Sequence, residues 1–206
     1  MTLGSHQQCV GESQNHITPR WIIDALGPFD LDPAAADPRP WDCATTNWAS
    51  HGLDRDWSGF VFLNPPFDRY VVGAWIARLA QHGRGICRTH ARTEAGWFEP
   101  IWQHAATILF LADRLHFHRP DGSRQPANSG APPVLAAFGE EAAMRLHRCG
   151  IGGVLVTSWH NRPNSCDITN QKKGASIPIE GVISVRTPTK KRTSELPRGS
   201  SPLTPR

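Results

Sequence analysis

The sequence predicts an α/β fold in which short apolar strands alternate with amphipathic helices. Three observations predict it. Apolar runs of about four or five residues recur along the chain, many of them stop at Gly or Pro, and stretches with apolar residues three and four positions apart separate them. Because runs that are apolar throughout are typical of strands buried on both sides, we expect a largely parallel sheet with helices on both faces.

The first predicted elements are a short helix and a strand. Thr18 is a typical capping residue, Pro19 suits the first helical position and Gly27 suits a helix end. We therefore expect a helix over 18–27. Residues 29–32 alternate in polarity and predict a strand directly after it.

The middle of the chain continues this alternation. Residues 60–63 form a short apolar run that predicts a strand. Residues 70–82 place their apolar side chains on one helical face, and Gly83 follows. Another strand is expected to begin at 85–87, and the aromatic stripe in 96–104 predicts a further helix.

The last part of the core is predicted to hold three strands and one helix. The strands are expected at 107–111, 134–138 and 153–157. The helix is expected at 140–148, because acidic residues begin this segment and basic residues end it. In such sheets, ligands bind beyond the carboxyl ends of the strands.

Composition predicts where the folded domain begins and ends. All 17 aromatic residues lie before residue 160, and residues 161–206 hold nine Lys or Arg against three acidic residues. A segment of this kind buries too little apolar surface to offset the entropy of ordering. We expect a flexible leader at 1–14, a folded domain at 15–160 and a basic, disordered tail at 161–206. The tail is either merely solvated or contacts nucleic-acid phosphates.

Charge and cysteine content exclude several classes. The formal charge is +4, and the five cysteines include no Cys-x-x-Cys pair, which argues against a disulfide framework and a zinc site. No run is long and apolar enough for a membrane span, so a soluble chain is expected, and the odd number of cysteines favours a reducing cytoplasm. His116 and His118 share a strand face near Asp113, but no third ligand is spaced convincingly, so no metal is expected.

The tetrapeptide Asn64-Pro65-Pro66-Phe67 is the most informative segment. It follows an apolar strand and precedes an amphipathic helix, and its two prolines restrict the backbone. The Asn64 side-chain oxygen and the Pro65 carbonyl can then act as two acceptors for a planar NH2 group, with Phe67 as a stacking surface. A stiff turn with a buried Phe67 is the alternative interpretation.

This segment resembles the (Asn/Asp/Ser)-Pro-Pro-(Tyr/Phe/Trp) motif of methyltransferases that use S-adenosylmethionine to modify amine or amide nitrogens. The chain from about residue 17 to residue 139 is similar to the phage-type DNA N6-adenine methyltransferase family. The segments that carry the resemblance are 18–21, 29–35, 52–57, 63–67, 92–98, 114–117 and 131–139. The resemblance implies a Rossmann-like class I methyltransferase sheet, trimmed because the span from Asp32 to Asn64 is short.

The resemblance also implies the sites. The residues expected to bind S-adenosylmethionine are Thr18, Pro19, Trp21, Asp32, Pro33 and Ala34, although Ala34–Ala36 replace the usual Gly-rich loop. Asp32 and Thr18 could instead be helix caps. The candidates for the ribose hydroxyls or adenine of the cofactor are Asp37, Asp42, Asp54 and Asp56.

The implied reaction is methylation of adenine N6 in double-stranded DNA, with the base extruded into a pocket formed by residues 64–67. The residues that could contact DNA are Arg92, Arg114 and Arg119. Three other acceptors fit the same motif: RNA adenine, cytosine N4 and a protein amide. A catalytically inactive phage protein that binds nucleic acid is the alternative of another class, because the Gly-rich loop is missing. The resemblance places the protein in the bacterial cytoplasm.

Overall fold

The computed structural model describes residues 16–157 and the backbone of 184–186. This part of the chain forms one mixed sheet with four α-helices. In chain order the elements are α1 (Arg20–Leu26), β1 (Leu31–Asp32), β2 (Thr46–Asn47), β3 (Val61–Leu63), α2 (Val72–His82), β4 (Gly85–His90), a 3-10 turn (Gly96–Phe98), α3 (Glu99–His104), β5 (Thr107–Leu111), β6 (Pro133–Phe138), α4 (Glu140–Arg148), β7 (Gly153–Thr157) and β8 (Ser184–Arg186).

The sheet has the strand order β2-β1-β3-β4-β6-β5-β7-β8. The first four strands are parallel, whereas every pair from β4–β6 onward is antiparallel. The expectation of a largely parallel sheet is therefore wrong for half of the molecule. No helix lies between β5 and β6, so the chain returns through a loop at 112–132 and inserts β6 between β4 and β5 in the opposite direction.

Helices cover both faces of the sheet, as expected. Alternate strand residues separate into two apolar clusters: Phe62 and Ile86 belong to the first, whereas Leu63 and Cys87 belong to the second. Helices α1 and α4 pack into the first cluster, and α2 and α3 pack into the second. This two-sided burial explains why β3 and β6 are apolar along their whole length.

The start of α1 differs from the prediction. Thr18 does not cap the helix, because the residue at the cap position is Pro19 and no side chain bonds to the first turn. Thr18 is instead buried, with 2% of its surface exposed, and its hydroxyl has no hydrogen-bond partner among the described residues. A hydroxyl that does not cap the helix is available for another partner.

Two strands were not anticipated. The two-residue strand β2 pairs with β1 at one edge of the sheet, and β8 pairs with β7 at the other. The predicted leader, 1–14, and most of the predicted tail, 161–206, lie outside the described residues. Because Ser184–Arg186 form β8, these three tail residues are not the disordered chain that composition predicted.

Candidate functional site

The carboxyl ends of the adjacent parallel strands β1 and β3 meet at a cleft of about 310 Å³. Its volume is at the lower end of the range typical of small-molecule sites. Both strand ends contribute to it, as the sequence predicted for ligands in such sheets. Its lining includes Thr18, Asp32, Pro33, Ala34, Asn64, Pro65, Pro66 and Phe67.

The cleft thus collects eight of the ten residues predicted to bind the target or the cofactor. The two exceptions are Pro19 and Trp21, neither of which lines it. Trp21 lies on α1 with 49% of its surface exposed. The helix presents Ile22 and Ile23 to the core instead.

Asn64 has a free acceptor at the cleft. Its Nδ2 donates to the backbone carbonyl of His16 over 2.9 Å. Because a carbonyl can only accept, this bond determines which end of the amide is the oxygen. The Oδ1 atom is buried and has no hydrogen-bond partner among the described residues. An orphaned buried acceptor costs about 1–3 kcal/mol unless a donor from outside the chain, a water or a ligand, meets it.

Thr18 contributes a second orphaned group to the same cleft. Its hydroxyl is buried without a partner in the described part of the chain, while its carbonyl accepts from the Trp41 indole over 3.3 Å. The carbonyl bond holds the backbone in place beside the cleft. Thr18 and Asn64 therefore offer two polar groups to whatever occupies it.

Asp32 is a buried carboxyl at the end of β1. It is 4% exposed, and its Oδ1 accepts from the backbone N–H of Ala34 over 3.1 Å. This bond holds a turn, not the start of a helix, so Asp32 is not a helix cap. Burial raises the pKa of Asp32 to about 7, although the Ala34 bond, the Cys43 thiol and the charge of Arg39 oppose that rise. A cationic or hydroxyl-bearing ligand would restore the charged form.

Gly52 allows two segments of the cleft wall to approach closely. A Cβ atom at this position would lie 1.9 Å from the Pro33 carbonyl oxygen and 2.8 Å from the Trp75 ring. The Gly52 carbonyl also accepts from the Trp57 indole over 2.6 Å. Glycine is therefore required for the chain to pass against the end of β1.

Phe67 lies in an aromatic and cationic group. Its ring stacks on the His90 ring with centroids 4.3 Å apart and an interplanar angle of 21°. The Arg88 guanidinium carbon lies 4.9 Å from the Phe67 centroid and 4.3 Å from that of Phe117. Arg88 is fully buried, and none of its three side-chain nitrogens has a hydrogen-bond partner among the described residues.

Sequence reasoning missed Arg88 and His90. Both lie on β4, where 85–87 was expected to begin a strand without any site residue. The available signal was a cation directly after the apolar residues 85–87, with Thr89 and His90 following it. Only the strand pairing shows that this run lies beside the strand that carries Asn64, because Leu63 is paired with Cys87.

Two of the three predicted DNA-contacting arginines, Arg92 and Arg114, act on this same group, whereas Arg119 does not. The pKa of His90 is lowered to about 3, first by burial, then by the charges of Arg88, Arg92, His16 and Arg114. Arg92 and Arg114 are exposed, and Arg114 donates to the Gly130 carbonyl. These two cations therefore lie within electrostatic reach of the aromatic stack at the cleft.

The four acidic candidates for the cofactor ribose differ in whether they line the cleft. Asp37 lines the cleft. The other three do not line it, and each contacts a basic side chain: Asp42 pairs with Arg39 at 2.6 Å, Asp54 contacts the His51 ring at 3.4 Å, and Asp56 pairs with Arg78 at 3.7 Å. Arg39 and His51 themselves line the cleft. Asp37 is thus the acidic side chain of this set that a ligand in the cleft could reach.

Within residues 16–157, no three His, Cys, Asp or Glu side chains are grouped so that they could hold a metal ion. In the same part of the chain, none of the helices combines the length and apolarity needed to cross a membrane. Comparisons with models of known protein families, with curated proteins and with solved structures find no match for the chain.

Proposed function

We propose that the protein is an S-adenosylmethionine-dependent methyltransferase with a Rossmann-like class I fold that modifies the N6 amine of adenine in DNA. One observation carries this proposal. Asn64 Oδ1 is a buried, unpartnered acceptor at a strand end that opens into a cleft, and Pro65, Pro66 and Phe67 follow it. An acceptor held this way suits an amine with two N–H donors.

The Asn64 amide acts by position. Its Nδ2 is anchored to the His16 carbonyl, so Oδ1 is held before any substrate arrives. By accepting from an amine hydrogen, Oδ1 favours a pyramidal nitrogen whose lone pair is available for bond formation. The buried Pro65 stiffens the segment that carries this acceptor.

The residues of the cleft fit the cofactor. Thr18 offers an unpartnered hydroxyl, Asp32 offers a buried carboxyl, and Pro33 and Ala34 present small side chains next to it. When bound there, S-adenosylmethionine supplies an electrophilic methyl group. The carboxyl of Asp32 would bind its ammonium or a hydroxyl, and Asp37 is the acidic side chain placed for the ribose.

Phe67 and the arginines provide the remaining parts. An extruded base stacks on an aromatic ring with a gain of about 1–3 kcal/mol. The His90 ring supports Phe67 from one side. Arg92 and Arg114 are exposed cations for the phosphates of a DNA strand.

The test is incubation of the full chain with cofactor carrying a tritiated methyl group and with DNA, RNA or protein as acceptor, followed by nucleoside or amino-acid analysis. We expect label in N6-methyldeoxyadenosine. Label in RNA, in N4-methylcytosine or in protein would support methyltransferase activity but contradict adenine in DNA as the substrate. No incorporation with any acceptor, together with no calorimetric binding of the cofactor, would overturn the proposal.

A further inference from the structure

Tyr70 is an aromatic ring held in solvent next to the cleft. Its surface is 77% exposed, more than that of the other exposed apolar side chains, Trp21, Val71 and Met144, at 49%, 39% and 50%. It lies three residues after Phe67, in the segment that joins the cleft to α2. An aromatic ring so exposed has no role in the core of the domain.

The backbone that carries Tyr70 is fixed by a hydrogen-bonded turn. The Asp68 carboxylate accepts from the Tyr70 N–H over 2.8 Å, and the Asp68 carbonyl accepts from the Val71 and Val72 N–H groups over 3.1 and 3.0 Å. Turns of this kind are typical of Asp. The outward position of Tyr70 is therefore built into the start of α2 and does not result from an unstructured loop.

A cation accompanies the ring. The Arg69 guanidinium carbon lies 4.5 Å from the Tyr70 ring centroid, and the guanidinium donates to the Tyr70 hydroxyl. Both side chains are exposed. An aromatic face next to an arginine suits a partner with stacked rings and negative charge, which is the chemistry of nucleic acid.

We propose that Tyr70 is the wedge that enters the duplex where the target adenine leaves it, with Arg69 contacting the neighbouring phosphate. This inference rests on the proposed function. Extrusion of a base breaks its pairing and stacking at a cost of a few kcal/mol, and an inserted side chain recovers part of that loss. Tyr70 is at the right place, because the four residues proposed to receive the base immediately precede its turn.

The test compares three DNAs that contain an adenine which the unmodified protein methylates. All three contain the same strand with this adenine. In the first, thymine lies opposite the adenine; in the second, an abasic site lies opposite it; the third has no complementary strand. Single-turnover rates are measured for the parent, Tyr70→Ala, Tyr70→Phe and Tyr70→Trp, with protein in excess over DNA but below the concentration that saturates binding. Met144→Ala is the matched control, because Met144 is an exposed apolar residue on α4, away from the cleft.

We expect Tyr70→Ala to lose about 5- to 150-fold on the paired duplex, the range that one stacking interaction of about 1–3 kcal/mol provides. On the abasic duplex and the single strand, where extrusion costs less, most of that loss should disappear. The Phe and Trp variants and Met144→Ala should match the parent. An equal loss on all three DNAs, or no loss on the paired duplex, would overturn the wedge role. A parent that methylates RNA or protein but no DNA would overturn the proposed substrate and, with it, this inference.

Discussion

The two halves of the sheet differ in what they do with polar groups. In the parallel half, the strand ends of β1 and β3 carry Asp32 and Asn64, and Asn64 keeps an unpartnered buried oxygen. In the antiparallel half, β6 is buried along its whole length and lies between β4 and β5 in continuous register. The comparison teaches that the parallel half contains unsatisfied polar groups, which lower the stability of the protein. The antiparallel half supplies apolar packing that can offset this loss.

The largest effects are expected when a core side chain is shortened in each half of the sheet. Leu109→Ala in β5 removes a fully buried side chain and should cost about 2–5 kcal/mol of unfolding free energy. Leu63→Ala in β3 should cost a similar amount, because Leu63 is also fully buried. Only Leu63→Ala should also lower the single-turnover methylation rate measured below the melting temperature, because Leu63 directly precedes Asn64. Equal effects of the two variants on this rate would show that the two halves are not distinct.

Asp32→Asn should stabilise the protein while weakening cofactor binding. The pKa of Asp32 is about 7 in the folded protein and 3.8 without burial, so the folded state holds the proton more tightly. Stability from this group is therefore complete below pH 4, falls as the pH rises toward 7 and is lowest above it. In denaturant melts, the unfolding free energy of Asp32→Asn should exceed that of the parent by a few kcal/mol at pH 8, and the two should be nearly equal at pH 4.

The same carboxyl predicts how cofactor binding depends on pH. A ligand ammonium pairs with the ionised carboxyl, so calorimetric affinity of the parent should rise as the pH approaches and passes 7. The Asn variant should bind more weakly and show a flatter profile. A parent profile that is flat between pH 6 and pH 8 would remove Asp32 from the cofactor site.

Phe67→Ala should weaken binding of the extruded base by about 1–3 kcal/mol, the value of one base–aromatic stack. Phe67→Tyr and Phe67→Trp should retain activity, because the proposed role requires only a flat ring. The measurement is the equilibrium affinity of each variant for single-stranded DNA that contains adenine. An unchanged affinity for Phe67→Ala would mean that the ring serves only to pack against His90 and Arg88.

Deletion of residues 161–206 should have the smallest effect on the core. It removes a net charge of +6, so the slope of log DNA affinity against log salt concentration should become shallower if the tail contacts phosphates. It also removes β8 and leaves β7 as the sheet edge, so a slightly lower melting temperature is expected. An unchanged salt slope would indicate a solvated tail, and loss of cooperative melting would contradict the predicted domain boundary.

Much of the fold could be predicted from the sequence, because most helices and strands have a recognisable pattern within their own residues. The apolar runs at β3, β5, β6 and β7 and the amphipathic pattern of α2 each lie within a residue or two of their predicted places. The direction of β6 could not be read from its own residues, because an apolar run is the same in either direction. The absence of a predicted helix before β6 was the signal that favours an antiparallel return.

The parts of the candidate site that are formed by short contiguous segments could be predicted from the sequence. The tetrapeptide 64–67 and Asp32–Ala34 line one cleft because they end neighbouring strands. Arg88 and His90 were missed, since only the pairing of β3 with β4 brings them beside Phe67. Thr18 was expected as a possible helix cap, but its buried, unpartnered hydroxyl depends on tertiary packing that no local pattern reveals.

The most direct test of the account is the single-turnover rate of N6-methylation by Asn64→Ala, measured beside the parent with saturating cofactor and one DNA. Removing an acceptor that acts in the transition state typically costs about 10²–10³ in rate. We predict a loss of that size with cofactor affinity almost unchanged, because Oδ1 is proposed to accept from the target amine and not from the cofactor. The melting temperature should fall only slightly, because Ala loses the single hydrogen bond from Nδ2 to the His16 carbonyl. A variant that methylates at the parental rate would contradict the amine-acceptor role and leave the Pro65-Pro66 segment as a stiff turn.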